Sequence, residues 1–503
     1  MKKILIYSSL IAMGMMPLGS CTKDWLNVSP KGQDLEVNYY QNQEQAWKAL
    51  VAVYDVVGYM SGDYIAKVNT LDSAADDHFA GGGGPTDMNK WQHTQNFTVT
   101  AAEGPQGELW KRNFSGIFRA NILLQKLPGI PMDETLKKRY TAETKLLRAY
   151  FYFDVVRLFK NVPLFTEPVT TSEMYNVVQA DPADVYKQIE QDINDATPDL
   201  PVTVAVATDG GRVTQGVAHA LLGKVYLWQE KFADAAKEFE KVNGTPGQTS
   251  QYGYKLLSNF ADLWKVNNKY NTESILEVGH TSASNGTWGC TACTEGNIMN
   301  IITGPRNYEK KKPDAPDYVS GWSFLVITPE LYTLMKPDPR FKATIADIDS
   351  LKNAGIVNYT AGFNNTGYFL EKFMGRESTQ STGGGDMALN FPQNMYDIRL
   401  ADTYLLEAEA ILKSNGDLNR GAALLNKVRE RVGLPAVALT MENIMLERRL
   451  ELVGEGHRFL DLVRWGKAVE VLGPRGFKAN KNEVFPIPLG ELENTKLVQN
   501  PGY

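Results

Sequence analysis

Leu222-Gly223-Lys224-Val225-Tyr226, followed by Phe232, Ala235 and Phe239, is the stretch that decides the fold. Its residues are spaced as small and aromatic knobs are between the two antiparallel helices of the tetratricopeptide consensus. A looser copy occupies 403–432, where Leu406, Ala408 and Ala410 precede Ser414-Asn415-Gly416-Asp417 and a second helix with Ala422, Leu425 and Val428. Such repeats bury their faces only against neighbours, so further helical pairs are expected to stack on these two, with segments 109–159 and 441–470 as the candidates. The expected fold class is mainly α, a tetratricopeptide-like helical scaffold.

Helical periodicity extends outward from that stretch. Trp47, Leu50, Val51, Tyr54 and Val57 or Gly58 recur at three and four and predict a first helix from Gln43 to Met60. The pattern returns from Leu109 to Leu127 and from Leu136 to Phe159, where Ala149, Tyr152, Val155, Val156 and Phe159 share a face. Between the first helix and Leu109, Asp76-Asp77-His78 and Gly81-Gly82-Gly83-Gly84-Pro85 break it, and residues 72–91 are read as a mobile surface loop. From 244 to 394 the composition shifts to Gly, Asn, Ser, Thr, Pro and aromatics, with a weak strand at Ser274–Val278. This loop-rich insertion is where recognition is expected, with residues 43–243 and 395–503 as helical scaffold.

The 503 residues suffice for a large core: 43% are hydrophobic and 22% charged, which excludes bulk disorder. The 52 Lys and Arg stand against 58 Asp and Glu, so no general field draws phosphate backbones, and nucleic acid is not an expected partner. With only 3 Cys, packing and not a disulfide framework must supply stability. At the start, Lys2 and Lys3 precede an apolar stretch, Ile4 to Met16, too short to span a bilayer. This is a secretory signal, residues 1–20, and Leu18-Gly19-Ser20-Cys21 resembles a bacterial lipobox. Lipidation of Cys21 would hold a soluble body on a membrane without a spanning helix, since each buried CH₂ contributes about 0.8 kcal/mol. Residues 21–42 then form the lipidated tether.

No phosphate loop, nucleophile elbow or HExxH motif occurs, and the 5 His are scattered. No cofactor and no catalytic residue is expected. Glu447, Glu451, Glu455, His457, Arg458 and Asp461 invite an acid–base reading, but Leu450, Leu452, Phe459, Leu462 and Val463 mark two helices around Gly454-Glu455-Gly456. The charges are therefore read as a buried ion network. Asp76, Asp77, His78 and Asp87 lack EF-hand spacing and are read as a hydrophilic loop, with no metal site. Cys290-Thr291-Ala292-Cys293 has no second pair to complete a zinc site, and in an exported protein a short-range disulfide is the better reading.

Several segments resemble the SusD/RagB family of outer-membrane glycan-binding lipoproteins. They are the lipobox with Asp24-Trp25-Leu26 to Pro30, the run Ala142-Glu143-Thr144 to Arg157-Leu158-Phe159 leading to Val162-Pro163-Leu164, and Asp338-Pro339-Arg340. Leu405-Leu406-Glu407-Ala408-Glu409-Ala410, Glu447-Arg448-Arg449-Leu450-Glu451-Leu452 with Glu455-Gly456-His457-Arg458-Phe459 and Asp461 to Lys467, and the tail Phe485-Pro486-Ile487-Pro488 to Tyr503 complete the set. The resemblance implies about four tetratricopeptide-like helix pairs and an irregular insertion bearing a glycan site. It also implies surface exposure on the outer membrane of a Gram-negative bacterium and a TonB-dependent, SusC-like transporter as partner.

A sugar presents an apolar C–H face ringed by hydroxyls, so its site needs flat rings for stacking and polar side chains for directional hydrogen bonds. Those ingredients coincide at Asn89 and Trp91 beside the glycines, and at Trp288, Arg306, Asn307, Tyr308, Tyr318 and Trp322 in the insertion. Trp322 leads into Phe324-Leu325-Val326-Ile327 and is expected to be buried. Trp91, Trp288 and Tyr308, flanked by Gly, Asn and Lys, are open to either exposure or burial. Two other classes compete: a surface glycoside hydrolase, with two carboxylates about 5 to 10 Å apart in one cleft, and an adhesive lipoprotein binding peptide in a free repeat groove.

Overall fold

The computed structural model describes residues 39–59, 65–170, 172–290, 293–381 and 383–503. The signal segment 1–20, Cys21 and the tether as far as residue 38 lie outside the described residues. The fold is mainly α. It begins with α1 (Gln43–Gly58), α2 (Lys67–Ala74), strand β1 (His78–Gly81), α3 (Asn89–Gln95), α4 (Gln106–Lys126), α5 (Glu134–Phe159), α6 (Pro182–Ala196), α7 (Gln215–Trp228) and α8 (Phe232–Asn243). Then come β2 (Ser274–Val278), β3 (Arg306–Lys310), β4 (Phe324–Ile327), α9 (Pro329–Met335), β5 (Ile345–Asp347), β6 (Val357–Thr360), β7 (Tyr368–Leu370) and β8 (Met395–Arg399). After β8 come α10 (Leu400–Ser414), α11 (Leu418–Arg431), α12 (Met441–Glu451) and α13 (Arg458–Arg464), with shorter helices beyond them.

Local chemistry sets the helix starts. Asn42, Asp133, Asp181, Thr214, Asp417 and Thr440 each cap the helix they precede by accepting a backbone N–H of its first turn. The Leu222 stretch folds as α7, hinged at 229–231 onto α8. Gly223 is glycine because a Cβ there would stand 2.7 Å from the Phe239 ring. Phe239 in turn joins Leu227, Ala235, Leu406 and Ala410 in one apolar cluster, which seats α8 on α10. On the N-terminal side, α4 packs on α5 and α5 on α6.

The region from 274 to 399 contributes to four two-stranded antiparallel ladders: β1 with β4, β2 with β8, β3 with β6 and β5 with β7. The first of these corrects the expectation for 72–91. That segment is not a mobile loop; it holds the end of α2, then β1 and the start of α3, with His78 opposite Ile327 and Gly81 opposite Phe324. Asp77 and His78 are buried, Asp77 pairing with Arg449 at 2.7 Å and His78 Nδ1 meeting the Leu325 carbonyl at 2.9 Å. Gly81 serves close approach, since its φ is +70° and a Cβ would lie 2.3 Å from the Ser323 carbonyl oxygen.

The charged segment between Glu447 and Asp461 is a buried ion network. Arg340 binds Asp338, Glu447 and Glu451; Arg399 binds Glu273, Glu451 and Glu455; Arg448 bridges Asp402 and Asp461. Arg449 and Arg458 close on Asp76. The surrounding cations hold the Glu451 and Asp402 carboxyls well below the usual carboxylate range, against the opposing effect of burial. Such pairs add little over apolar packing, but each leaves a stranded charge when broken.

Candidate functional site

Trp288 stands on the loop between β2 and β3. Its backbone N–H donates to Asp386 Oδ2 at 3.1 Å, and the Thr287 carbonyl accepts the Cys290 N–H at 2.9 Å. Cys290 and Cys293 are joined as a disulfide, the pairing expected for an exported chain with no second cysteine pair. The Trp288 side chain is 46% exposed and leans on Trp322, ring centroids 5.9 Å apart at 41°. Trp322 departs from the expected core position: it is half-buried, its backbone N–H fixed by the Ile301 carbonyl at 2.9 Å.

Hydrogen bonds tie this pair to the glycine segment. The Gly82 N–H donates to the carbonyl of Ser323, next to Trp322, at 2.7 Å. Asp87 Oδ2 then accepts from the Gly83 N–H at 2.7 Å and from Arg306 Nη2 at 2.8 Å. Two residues on, exposed Asn89 opens α3 at the edge of a cleft of about 800 Å³, which Tyr59, Lys90, Glu108, Arg112 and Arg119 also line. The Arg112 guanidinium lies over the Tyr59 ring, 4.0 Å from its centroid. Asn307 is exposed and donates to Thr360 at 3.1 Å.

Three expected site residues are placed elsewhere. Trp91 is fully buried, edge-on to Phe324 at 4.8 Å, because α3 folds back over the β1–β4 ladder; it cannot stack on a ligand. Tyr318 is buried, its hydroxyl donating to Glu371 at 2.6 Å, and it meets partly buried Tyr308 edge-on at 5.5 Å. Tyr308 donates to the Pro316 carbonyl at 2.8 Å, so both hydroxyls are used inside the β3–β6 core with Val326, Val357 and Phe369. Burial pushes the Tyr308 hydroxyl up to about 12 and that of Tyr318 higher still. Among the described residues no cluster of His, Cys, Asp and Glu is arranged to hold a metal ion, and Asp76, Asp77 and Asp87 are taken by arginines. Asp386, Tyr59 and Arg112 carry no signal that singles them out in the sequence. Asp386 follows Gly383-Gly384-Gly385, a turn signal that gives no hint of a partner near residue 288.

What the assembled residues offer is one exposed ring braced by a second, with an arginine–aspartate pair and an asparagine beside a cleft. A model of the SusD family matches residues 273–481, and one described as starch-binding associating with outer membrane matches 24–227. A solved structure named as a laminarin-binding SusD-like protein is 53% identical, with 92% of this chain and 100% of that chain covered and a TM-score of 0.90. The chain belongs to the SusD family. Another solved structure, surface glycan-binding protein A from Bacteroides thetaiotaomicron in complex with laminarihexaose, is 26% identical over 92% of this chain and 100% of that one, TM-score 0.81. SusD-like protein P25 of Formosa agariphila is 27% identical over 77% of this chain and 76% of its own length.

Proposed function

We propose that this SusD-family protein binds a glycan of the laminarin class without cleaving it, on a platform made by Trp288 and Trp322 with Arg306 and Asn89 as polar partners. The observation that carries the reading is the exposed Trp288 ring braced on Trp322, in a chain 53% identical to a laminarin-binding protein. Leaving a large ring 46% exposed sacrifices burial, and a ligand with an apolar face recovers it. The nearby carboxylates are engaged, Asp87 by Arg306 and Asp386 by the Trp288 N–H, which favours binding over acid–base chemistry. In this reading 43–243 and 395–503 are scaffold and 244–394 carries recognition.

The wider role follows from the start of the chain and from the family. Residues 1–20 direct export, a lipid on Cys21 anchors the protein to the outer-membrane surface, and captured oligosaccharide passes to a SusC-like, TonB-dependent transporter. No cofactor takes part. Titration of purified protein with laminarihexaose tests the binding, with an expected Kd of about micromolar to millimolar; no detectable heat or shift at millimolar ligand contradicts it. Fractionation of cells carrying Cys21→Ala tests the anchor: the folded variant is expected in the soluble fraction, and retention in the outer membrane without the transporter overturns that part.

A further inference from the structure

The stretch Gly286-Thr287-Trp288-Gly289-Cys290-Thr291-Ala292-Cys293-Thr294 carries one large side chain, Trp288, among small ones. It has little apolar surface of its own to bury, so packing cannot offset the entropy of ordering it. Its neck is fastened: the Thr281 N–H donates to the Glu295 carbonyl at 2.8 Å, and the Glu295 N–H to Ser284 Oγ at 3.3 Å. The outgoing limb is gripped at Gly286, whose carbonyl accepts the Asp386 N–H and Asn390 Nδ2, each at 3.0 Å. Beyond that grip the Trp288 N–H reaches Asp386, and the tip is tied to itself. The Cys290 N–H donates to the Thr287 carbonyl, the Cys293 N–H to the Cys290 carbonyl at 3.1 Å, and the disulfide joins the two cysteines.

Stability of the whole chain does not account for a bond at this place. It joins cysteines with a sequence separation of 3 in a chain of 503 residues, so it removes little freedom from the unfolded state. It does close the loop immediately after the exposed ring. Both cysteines are exposed, so a thiol reductant reaches them. We propose that the Cys290–Cys293 disulfide is a positioning device for Trp288: it holds the ring in the orientation a glycan meets, and affinity depends on the bond staying oxidised. This rests on the reading of Trp288 as a ligand platform. Reduction is a two-electron exchange in which a dithiol attacks one sulfur, the S–S bond breaks, two cysteine thiols form and the reductant leaves as its cyclic disulfide. The loosened loop must then be ordered again at each binding event, which lowers affinity and leaves folding nearly untouched.

Titration with laminarihexaose of a Cys21→Ala parent, in which Cys290 and Cys293 are the remaining cysteines, tests the proposal. Adding Cys290→Ser and Cys293→Ser is expected to weaken binding about fivefold, with a melting temperature within about 2 °C of that parent. Dithiothreitol should bring the parent to the same level and oxidised glutathione should restore it, while the doubly substituted form responds to neither. A second readout needs no ligand: acrylamide quenching of the indole fluorescence that Trp288→Phe removes should rise on reduction. Unchanged affinity in the Ser form, with binding lost in Trp288→Ala, overturns the positioning role and leaves the platform standing. No binding by the parent overturns the platform reading, and unchanged quenching on reduction overturns the positioning role by itself. A melting temperature lower by more than about 10 °C in the Ser form also overturns it, because the bond would then support the fold.

Discussion

Around α12 the protein buries its charges, and on the Trp288 loop it exposes an aromatic ring; each reverses ordinary burial. Arg340, Arg399, Glu447 and Glu451 are all at most 1% exposed, whereas Trp288 is 46% exposed. The difference teaches where each cost is recovered. In the α12 block these charges meet their opposites within the chain, so the return is structural: the network joins the turn after α2, β8, α12 and the Asp338–Arg340 turn into one geometry. The Trp288 ring leans on Trp322 and stays 46% exposed, and under the proposed function the remaining return comes from a bound ligand.

Removing one member of the network should have the largest effect. Arg399→Ala removes one buried cation from among Glu273, Glu451 and Glu455, which keep Arg431, Arg340 and Lys372 but are left with an uncompensated negative charge, and a loss of about 5 kcal/mol is expected by denaturant unfolding; a change under about 1 kcal/mol would show the carboxylates to be solvated and erase the contrast. Trp91→Ala is next, at about 4 kcal/mol, since it empties a fully buried site against Phe324. It sharpens the comparison because Trp91 and Trp288 both follow glycine- and asparagine-rich sequence and have opposite environments.

Acidification should come third. His280 is buried and burial lowers its pKa to about 4, so the folded chain holds it neutral while the unfolded chain protonates it near 6.5. The unfolded state then binds more protons between about pH 6.5 and 4, and stability falls as pH falls through that window. Stability at pH 7 and pH 5 should differ by about 2 kcal/mol from this group, with the network carboxylates lost only at lower pH because their folded-state pKa values are depressed. Equal stability at both pH values would contradict the neutral assignment. The smallest effect is expected from Asp386→Ala, which frees the Trp288 backbone N–H: affinity for laminarihexaose should fall about threefold, by about 0.7 kcal/mol, with an unchanged melting temperature. Unchanged affinity would show that the loop holds the ring without that bond.

The helices were legible because their signals are local. Gly223 and Phe239 lie within one hairpin, and capping residues such as Asp133 and Thr440 sit beside the turns they cap. The 72–91 segment misled because the partners that order Asp76 and Asp77, Arg449 and Arg458, are more than 370 residues away, and a run of glycines looks alike whether it is free or pressed against a strand. Within the candidate site, residue type was readable and exposure was not. Trp91 is covered by Phe324, Tyr318 by its pairing with Tyr308, and Trp288 is braced by Trp322 and Asp386, all contacts fixed by tertiary folding.

The role proposed for the Trp288 ring is to serve a ligand and not the fold. It is tested most directly by calorimetric titration of laminarihexaose into the parent and Trp288→Ala, with the melting temperature of each measured on the same samples. The account predicts at least about a tenfold loss of affinity, or about 1.4 kcal/mol, and a melting temperature within about 2 °C of the parent. Undiminished affinity in the variant, or a melting temperature that falls as far as that of Trp91→Ala, would contradict it.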